Sequence, residues 1–301
     1  MLKWILIVGL ALLAILGFVL VQGPLSTGPS PAPSDSPAEQ TEDSQESEAS
    51  ESAEPSEPSD GSDQQEAQPE PSQEAKDIMQ QAREAQGGLS ALQDLNGYHL
   101  QASSTAQQRG QTLSLQTETW VKLPGQFRQN TQVSIQGQTI NSLTVWDGQN
   151  GWVRQQGQVQ QLQGNQIGSI QQNLYLDPLH VVLFTARDDF TYTYQGRETA
   201  NGTEVHAMEI QTPQDQTVTY YFDAESFLPV QRTRSAQGST VRTVFTDYQR
   251  VDGYAFPFTQ QTFLNGDLAQ EQTVENVEVN PSFDPELFQK PQTNSNQQSG
   301  Q

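Results

Sequence analysis

Between Trp146 and Phe258 the chain repeats one kind of phrase: a short strand-like run, a tight Asp, Asn or Gly turn, and an aromatic strand-like run. The clearest cases are Val145-Trp146-Asp147-Gly148-Gln149-Asn150-Gly151-Trp152-Val153, Tyr220-Tyr221-Phe222-Asp223 leading to Phe227-Leu228-Pro229-Val230, and Asp247-Tyr248 through Asp252-Gly253 to Phe256-Pro257-Phe258. Alternation with a period of two places one side chain in two on each face of a sheet, and turns this tight join antiparallel neighbours. Such phrases build a curved antiparallel sheet with an apolar, aromatic face.

The period of two holds almost throughout the second half of the chain. Strands are predicted near 98–108, 112–122, 126–136, 139–146, 151–156 and 158–163, and again near 190–197, 204–211, 216–223, 227–236, 239–250, 254–265 and 268–279. Gly110, Pro124-Gly125, Gly137, Asp147-Gly148 and Gly157 mark breaks in the first group. Asn201-Gly202, Gln237-Gly238, Asp252-Gly253 and Asn265-Gly266 suit hairpin turns in the second. The frequent Gln residues after Leu100 are interleaved with Val, Leu and Trp, so they read as solvent-facing strand positions.

Four segments read as helical. Over 74–85, Ala75, Ile78, Met79, Ala82 and Ala85 recur at three- and four-residue spacing, and Gly87-Gly88 stops the helix. Residues 89–95 read as a short second helical turn. The segment 166–187 interrupts the strand pattern with Ile167, Ile170, Leu174, Leu179, Val182 and Leu183. Asp177-Pro178 divides it, with Asp177 as the N-cap of a second short helix. A helical insert inside a meander must pack somewhere, and one mouth or face of the sheet is the natural place. Phe283 to Phe288 reads as a last helical turn. The fold class expected is therefore α+β: a curved antiparallel sheet forming an unclosed β-barrel with a helical lid.

The first quarter of the chain is of another kind. Residues 4–21 are uninterrupted apolar sequence preceded by Lys3. Eighteen helical residues span about 27 Å, close to the hydrocarbon thickness of a bilayer. The reading is an N-terminal transmembrane helix over 1–23, with Met1 in the cytoplasm and the remainder outside. The alternative is a cleaved signal peptide, against which stand an apolar run longer than the usual 7–15 or so residues and the absence of a small-x-small cleavage motif before Pro24. Residues 24–74 are rich in Pro, Ser, Glu and Gln, and the stretch 24–75 holds 14 Asp or Glu and no Lys or Arg. Such a composition cannot bury enough apolar surface to offset ordering entropy, so it reads as a disordered acidic linker. A folded domain over 75–290 and a disordered tail over 291–301 complete the division. The expected location is the cytoplasmic membrane, single-pass through residues 4–21, with the domain facing the periplasm or the cell exterior.

Charge and motif content narrow the function. The formal net charge is −22, and the chain from Lys76 onward still carries 22 acidic against 13 basic residues. That balance argues against nucleic acid as a partner. Cysteine is absent, which excludes disulfides, thiolate metal sites and a Cys nucleophile. His99, His180 and His206 have no metal-ligand spacing and read as structural. No Gly-x-Ser-x-Gly elbow and no Walker-type glycine loop occurs, so neither catalysis nor a cofactor is expected. Arg187-Asp188-Asp189 reads as a solvated ion pair rather than a headgroup site, and Asn201-Gly202-Thr203 matches a glycosylation sequon.

The order and spacing of these phrases resemble the LolA/LolB-like bacterial lipoprotein-carrier superfamily and its outer membrane lipoprotein-sorting relatives. The Asp147-Gly148 to Gly151-Trp152 turn, Tyr221-Phe222-Asp223 followed by Leu228-Pro229, Asp247-Tyr248 through Asp252-Gly253 to Phe256-Pro257, and the close Phe283-Asp284 to Phe288 carry the likeness, over roughly residues 75–290. The resemblance implies an apolar cavity that accommodates acyl chains of lipids or lipoproteins under a helical lid. Candidate cavity residues are Trp120, Phe127, Trp146, Trp152, Phe222, Leu228, Phe245 and Phe256 on strands, with Leu174, Leu179, Val182 and Phe184 on the lid. The alternative with the same fold is an envelope sensor or structural module that binds a protein partner.

Overall fold

The computed structural model describes residues 70–108, 110–135, 137–236 and 238–293. The anchor expected over 1–23 and the linker up to residue 69 lie outside the described residues, as does the tail from 294. Among the described residues, no helix is long and apolar enough to cross a membrane.

Helix α1 (Gln73–Ala85) starts where the Ser72 hydroxyl accepts from the Ala75 amide at 3.2 Å. Its apolar stripe of Ala75, Ile78, Met79 and Ala82 is buried. The Gly88 amide returns to the Arg83 carbonyl at 2.8 Å and closes the helix. Helix α2 (Leu89–Gln93) follows and buries Leu92.

Thirteen strands then form one antiparallel sheet. The first six are β1 (Gly97–Gln108), β2 (Gln111–Lys122), β3 (Gln126–Ile135), β4 (Gln138–Trp146), β5 (Gly151–Gln155) and β6 (Gln158–Gln161). After α3 (Gly164–Tyr175) and α4 (Pro178–Phe184) come β7 (Thr191–Ala200), β8 (Thr203–Gln211), β9 (Thr217–Asp223), β10 (Pro229–Ala236), β11 (Ser239–Val251), β12 (Tyr254–Leu264) and β13 (Asp267–Val279). A 3-10 turn (Pro285–Phe288) closes the described chain.

The sheet order is β6-β5-β4-β3-β2-β1-β13-β12-β11-β10-β9-β8-β7. Every neighbour is a sequence neighbour except at the seam, where β1 pairs with β13 from Tyr98↔Val279 to Ala106↔Gln270. The chain thus walks outward from the seam to one edge, crosses to the other, and walks back. β6 and β7 are those edges and no ladder joins them, so the curved sheet does not close into a barrel. The crossing is made by α3 and α4, which pack against the concave face.

The turns have the chemistry the sequence called for. Asn201-Gly202, Asp252-Gly253 and Asn265-Gly266 all hold positive φ at both positions. Gly97, at the start of β1, has φ +149, and a Cβ there would lie 2.0 Å from the Val121 carbonyl oxygen and 3.0 Å from the Phe283 ring.

The main core lies between the concave face and the helices. It combines Ile78, Met79, Leu92, Ile170, Leu174, Leu179, Val182 and Phe184 with strand residues such as Met208, Ile210, Tyr220, Phe222, Phe245 and Phe256. A smaller cluster of Ala106, Leu113, Leu115 and Val133 lies at the far end of β1–β4.

Gly97→Ala is expected to destabilise the fold by about 1–3 kcal/mol, because the new methyl group meets backbone rather than a side chain that can move. A chemical-denaturation midpoint unchanged from the parent chain would contradict the close approach of β2 to Gly97.

Candidate functional site

The structure separates the candidate cavity residues into two faces. Trp146, Phe222, Phe245 and Phe256 lie in the main core together with Leu174, Leu179, Val182 and Phe184, and Phe127 packs against it partly buried. Trp120 and Trp152 are elsewhere. Each precedes a residue of the concave side, Val121 and Val153, so strand alternation puts both indoles on the outer face. Trp120 stacks on His99 at 4.8 Å, with Arg128 5.5 Å from its ring. Leu228 sits in the β9–β10 turn, where its carbonyl accepts from the Asp223 amide at 3.0 Å. Its neighbour Phe227, with φ +55, packs on the core and stacks on His206 at 5.4 Å.

A cleft of about 150 Å³ opens between α3 and the concave face. One wall is apolar: Leu100, Val121 and Phe127 from β1–β3 face Ile170 and Leu174 from α3. The other is polar, made by Thr119, Gln129, Asn173, Gln260 and Gln272, with Tyr98 and Asp177 at the end. Of the residues expected from the sequence, Phe127 and Leu174 line this space; the other core members are packed against protein.

The junction of α3 and α4 is tied to the sheet through its own backbone. The Leu176 carbonyl, at the end of α3, accepts from the Tyr220 hydroxyl at 2.5 Å and from the Arg232 guanidinium. The Arg83 guanidinium donates to the Val182 carbonyl at 3.0 Å and to the Thr185 hydroxyl at 3.3 Å. Asp177 caps α4 by accepting from the Leu179 and His180 amides at 2.9 and 3.4 Å, and its second oxygen accepts from the Tyr98 hydroxyl at 3.4 Å. The His180 ring donates from Nδ1 to the Leu174 carbonyl at 2.9 Å, since a carbonyl can only accept.

Burial fixes the protonation of the tyrosines here. It pushes the Tyr98 hydroxyl well above its usual range, with the Asp177 carboxylate adding to the effect. Burial likewise raises Tyr220 and Tyr248. All three are neutral donors at any ordinary pH.

The histidines stand apart in three settings. His99 meets Glu118 at 3.1 Å on the outer face, His180 is in α4, and His206 lies 3.2 Å from the Tyr194 hydroxyl with its pKa lowered by burial. Among the described residues no group of three His, Asp or Glu is placed to hold a metal ion. Arg187 and Asp189 form an exposed ion pair at 2.5 Å. The Asn201 amide donates to Gln231 at 3.0 Å and accepts from Arg242 at 3.4 Å, which gives it a structural role in its turn.

Sequence reasoning missed a second space. An open groove of about 850 Å³ runs over the outer face of β1–β5, lined by Gln101, Gln116, Glu118, Asn130, Gln132, Asn141, Arg154 and Glu275. Alternation places these residues outward; which outward side chains share one groove depends on how β1 to β5 lie side by side, which alternation does not report. The C-terminal segment lies beside this groove, with the Leu287 carbonyl accepting from Arg128 at 2.9 Å and the Gln292 carbonyl from Arg154 at 3.4 Å.

No protein-family model and no curated protein matches the sequence. Solved structures do resemble it. A DUF1329 family protein from Desulfovibrio piger aligns over 71% of this chain and 96% of its own length, at 12% identity and a TM-score of 0.51. That likeness shows a shared fold. A putative outer membrane lipoprotein-sorting protein domain from Vibrio parahaemolyticus aligns over 71% of this chain and 95% of its own, at 12% identity and a TM-score of 0.48. A LolA superfamily protein from Nitrosomonas europaea aligns over 72% and 97%, at 11% identity and 0.48.

Tyr220→Phe removes one of the donors to the Leu176 carbonyl and is expected to cost about 1 kcal/mol. Hydrogen exchange at α3 and α4 amides should speed up before exchange at the seam does. A second expectation concerns pH. Tyr98, Tyr220 and Tyr248 have folded pKa values raised above the unfolded value of roughly 10. Their contribution is therefore complete below that value, and stability falls as pH rises through it, because the unfolded chain sheds protons that the folded one keeps. Denaturation midpoints should hold up to about pH 9 and drop from about pH 10 upward, and Tyr220→Phe should flatten the drop; an unchanged slope would count against buried neutral tyrosines.

Proposed function

We propose that this chain is a membrane-anchored, extracytoplasmic carrier or binding domain for acyl chains of lipids or lipoproteins, working without a covalent step. The observation that carries the reading is the cleft under α3, whose apolar wall continues into the aromatic core. Its volume of about 150 Å³ falls below the roughly 300–1,000 Å³ of ordinary ligand pockets. An acyl chain therefore enters only if α3 and α4 move away from the sheet. The hydrogen bonds that resist this movement are few: Tyr220 and Arg232 on Leu176, Tyr98 on Asp177, and Arg83 on Val182 and Thr185. Each such bond contributes about 0.5–1.5 kcal/mol net, while each methylene buried yields about 0.8 kcal/mol. A chain of a dozen or so carbons is of the size to offset these hydrogen bonds while taking over the apolar contacts that α3 and α4 give up on the concave face.

In this reading residues 4–21 hold the domain at the cytoplasmic membrane and the acidic linker sets how far it reaches. A flexible coil of that length would reach roughly 40 Å root-mean-square. A domain so held receives or presents lipid within that range rather than shuttling freely across an envelope.

The outer groove favours a second reading, a module that binds an envelope protein through its polar convex side. Native mass spectrometry of the full chain with palmitate separates the two. Acyl adducts are expected, and Leu174→Trp, which fills the cleft, should weaken them about tenfold. An adduct-free spectrum, or Leu174→Trp binding as well as the parent, would overturn the acyl-chain reading.

A further inference from the structure

We infer that the cleft under α3 selects amphiphiles with an uncharged polar headgroup, built of ester, amide or hydroxyl groups, over acids and amines with the same tail. The inference rests on the acyl-chain reading and names the headgroup that reading leaves open.

The polar wall of the cleft is made largely of amides that the protein does not itself satisfy. Gln260 of β12 and Gln272 of β13 line it and stand directly opposite each other in the register. Side chains so paired share one face of the sheet, with Cβ atoms about 4.5–5.5 Å apart. Asn173 lines the same space from α3. All three are half-buried, and among the described residues none of these side chains makes a hydrogen bond to protein. Ser104 pairs with Gln272 from β1, and its buried hydroxyl also has no partner among the described residues. The fourth cleft amide, Gln129, donates to the Thr119 hydroxyl at 2.9 Å.

An amide side chain offers a carbonyl that accepts and an NH2 that donates. Covering such groups without supplying partners costs free energy, so a ligand that fills the cleft must bring both kinds of partner. An ester or amide carbonyl accepts from the NH2, and a hydroxyl or amide N–H donates to the carbonyl. A head that carries both satisfies the wall. A carboxylate or a phosphate dianion only accepts and an ammonium only donates, so either leaves part of the wall unpaired.

The charges around the cleft point the same way. The charged residue in its lining is Asp177, so an acidic head would share the cleft with a carboxylate. A cationic head gains little from Asp177, which already accepts from the Leu179 and His180 amides and from the Tyr98 hydroxyl. Arg232 is outside the lining, and its guanidinium is engaged by the Leu176 carbonyl. An ionic head therefore gives up its hydration and finds no counter-ion in return.

The order of strands sets where the head lies. From Phe127 of β3 the cleft passes Val121 of β2 and Leu100 of β1 to Gln272 of β13 and Gln260 of β12, which are successive neighbours in the sheet. Because Gln260 and Gln272 belong to the sheet, they keep their places when α3 moves away, and a tail on the Leu, Val and Phe wall brings its head to them.

The test is equilibrium dialysis of the full chain, held in a non-ionic amphipol, against radiolabelled 1-monopalmitoylglycerol, hexadecyl phosphate and hexadecylamine, each below its micellar concentration. Uptake that Leu174→Trp abolishes is counted as cleft binding. Monopalmitoylglycerol is expected to bind about tenfold or more tightly than either ion. The double variant Q260L/Q272L, which keeps the size of the wall but not its amides, should bring the three within about threefold while still binding all of them. If that variant binds none of them, Asn173→Leu alone must show the reduced preference. An ion that binds the parent as tightly as monopalmitoylglycerol, or a preference that survives in these variants, overturns the headgroup selection and leaves the acyl-chain reading standing. Cleft uptake of none of the three overturns both.

Discussion

The link between β6 and β7 has to cross the concave face, because it leaves one edge of the sheet and arrives at the other. Helices are the form in which a backbone makes such a crossing with its own hydrogen bonds satisfied, but each helix end leaves carbonyls or amides without intrahelical partners. The break at Leu176-Asp177-Pro178 falls on the buried side, so its backbone groups must find partners there. That requirement explains the polar residues inside an otherwise aromatic shell. Asp177 answers the amides of α4, Tyr220 and Arg232 answer the last carbonyl of α3, and His180 reaches back to Leu174. The helical crossing and the polar groups that hold it have a single cause.

Much of this was legible before the fold was seen. Thirteen strands were expected and thirteen form, because strict alternation and Asn-Gly or Asp-Gly turns are local signals. Asp177 and Pro178 announce their helix start by residue type alone, and the Asp177 side chain caps α4 in the structure. Long-range features were not legible. Nothing local in Tyr98 or Val279 says that β1 pairs with β13 across most of the chain. Trp120 and Trp152 were taken with the cavity because aromatic side chains usually mark the buried face. The actual burial pattern places them on the other side, where Trp120 is covered by His99 and Arg128 instead. Arg232 and Arg234, in a run of Gln, Arg, Thr and Arg, look like an exposed polar strand; only their pairing with Tyr220, Thr243 and Val241 brings them inside.

The aromatic phrases that dominate the sequence therefore do two things. Most of them fill: Phe222, Phe245, Phe256 and Trp146 make the concave face a packed core. Only at Phe127 and Leu174 does the packing part to leave a cleft. A filled core with a small adjoining gap is a state from which a larger space can open, since the helices on one side of the gap are bonded to the sheet at a few points and packed against it elsewhere.

The distribution of polarity on the concave face also gives that space a direction. Near α3 the wall is Leu100, Val121, Phe127, Ile170 and Leu174; toward β12 and β13 it becomes Gln260 and Gln272, and beyond Phe245 it reaches Arg232. An apolar tail placed the other way round would bury its methylenes among amides and guanidinium groups while leaving the Leu and Phe wall unfilled. Each polar group so covered loses water without gaining a partner, at a cost of about 1–3 kcal/mol, whereas the reverse placement satisfies both ends. The acyl chain of the proposed function would therefore lie with its tail against the Leu and Phe wall under α3 and its polar end toward Gln260 and Gln272.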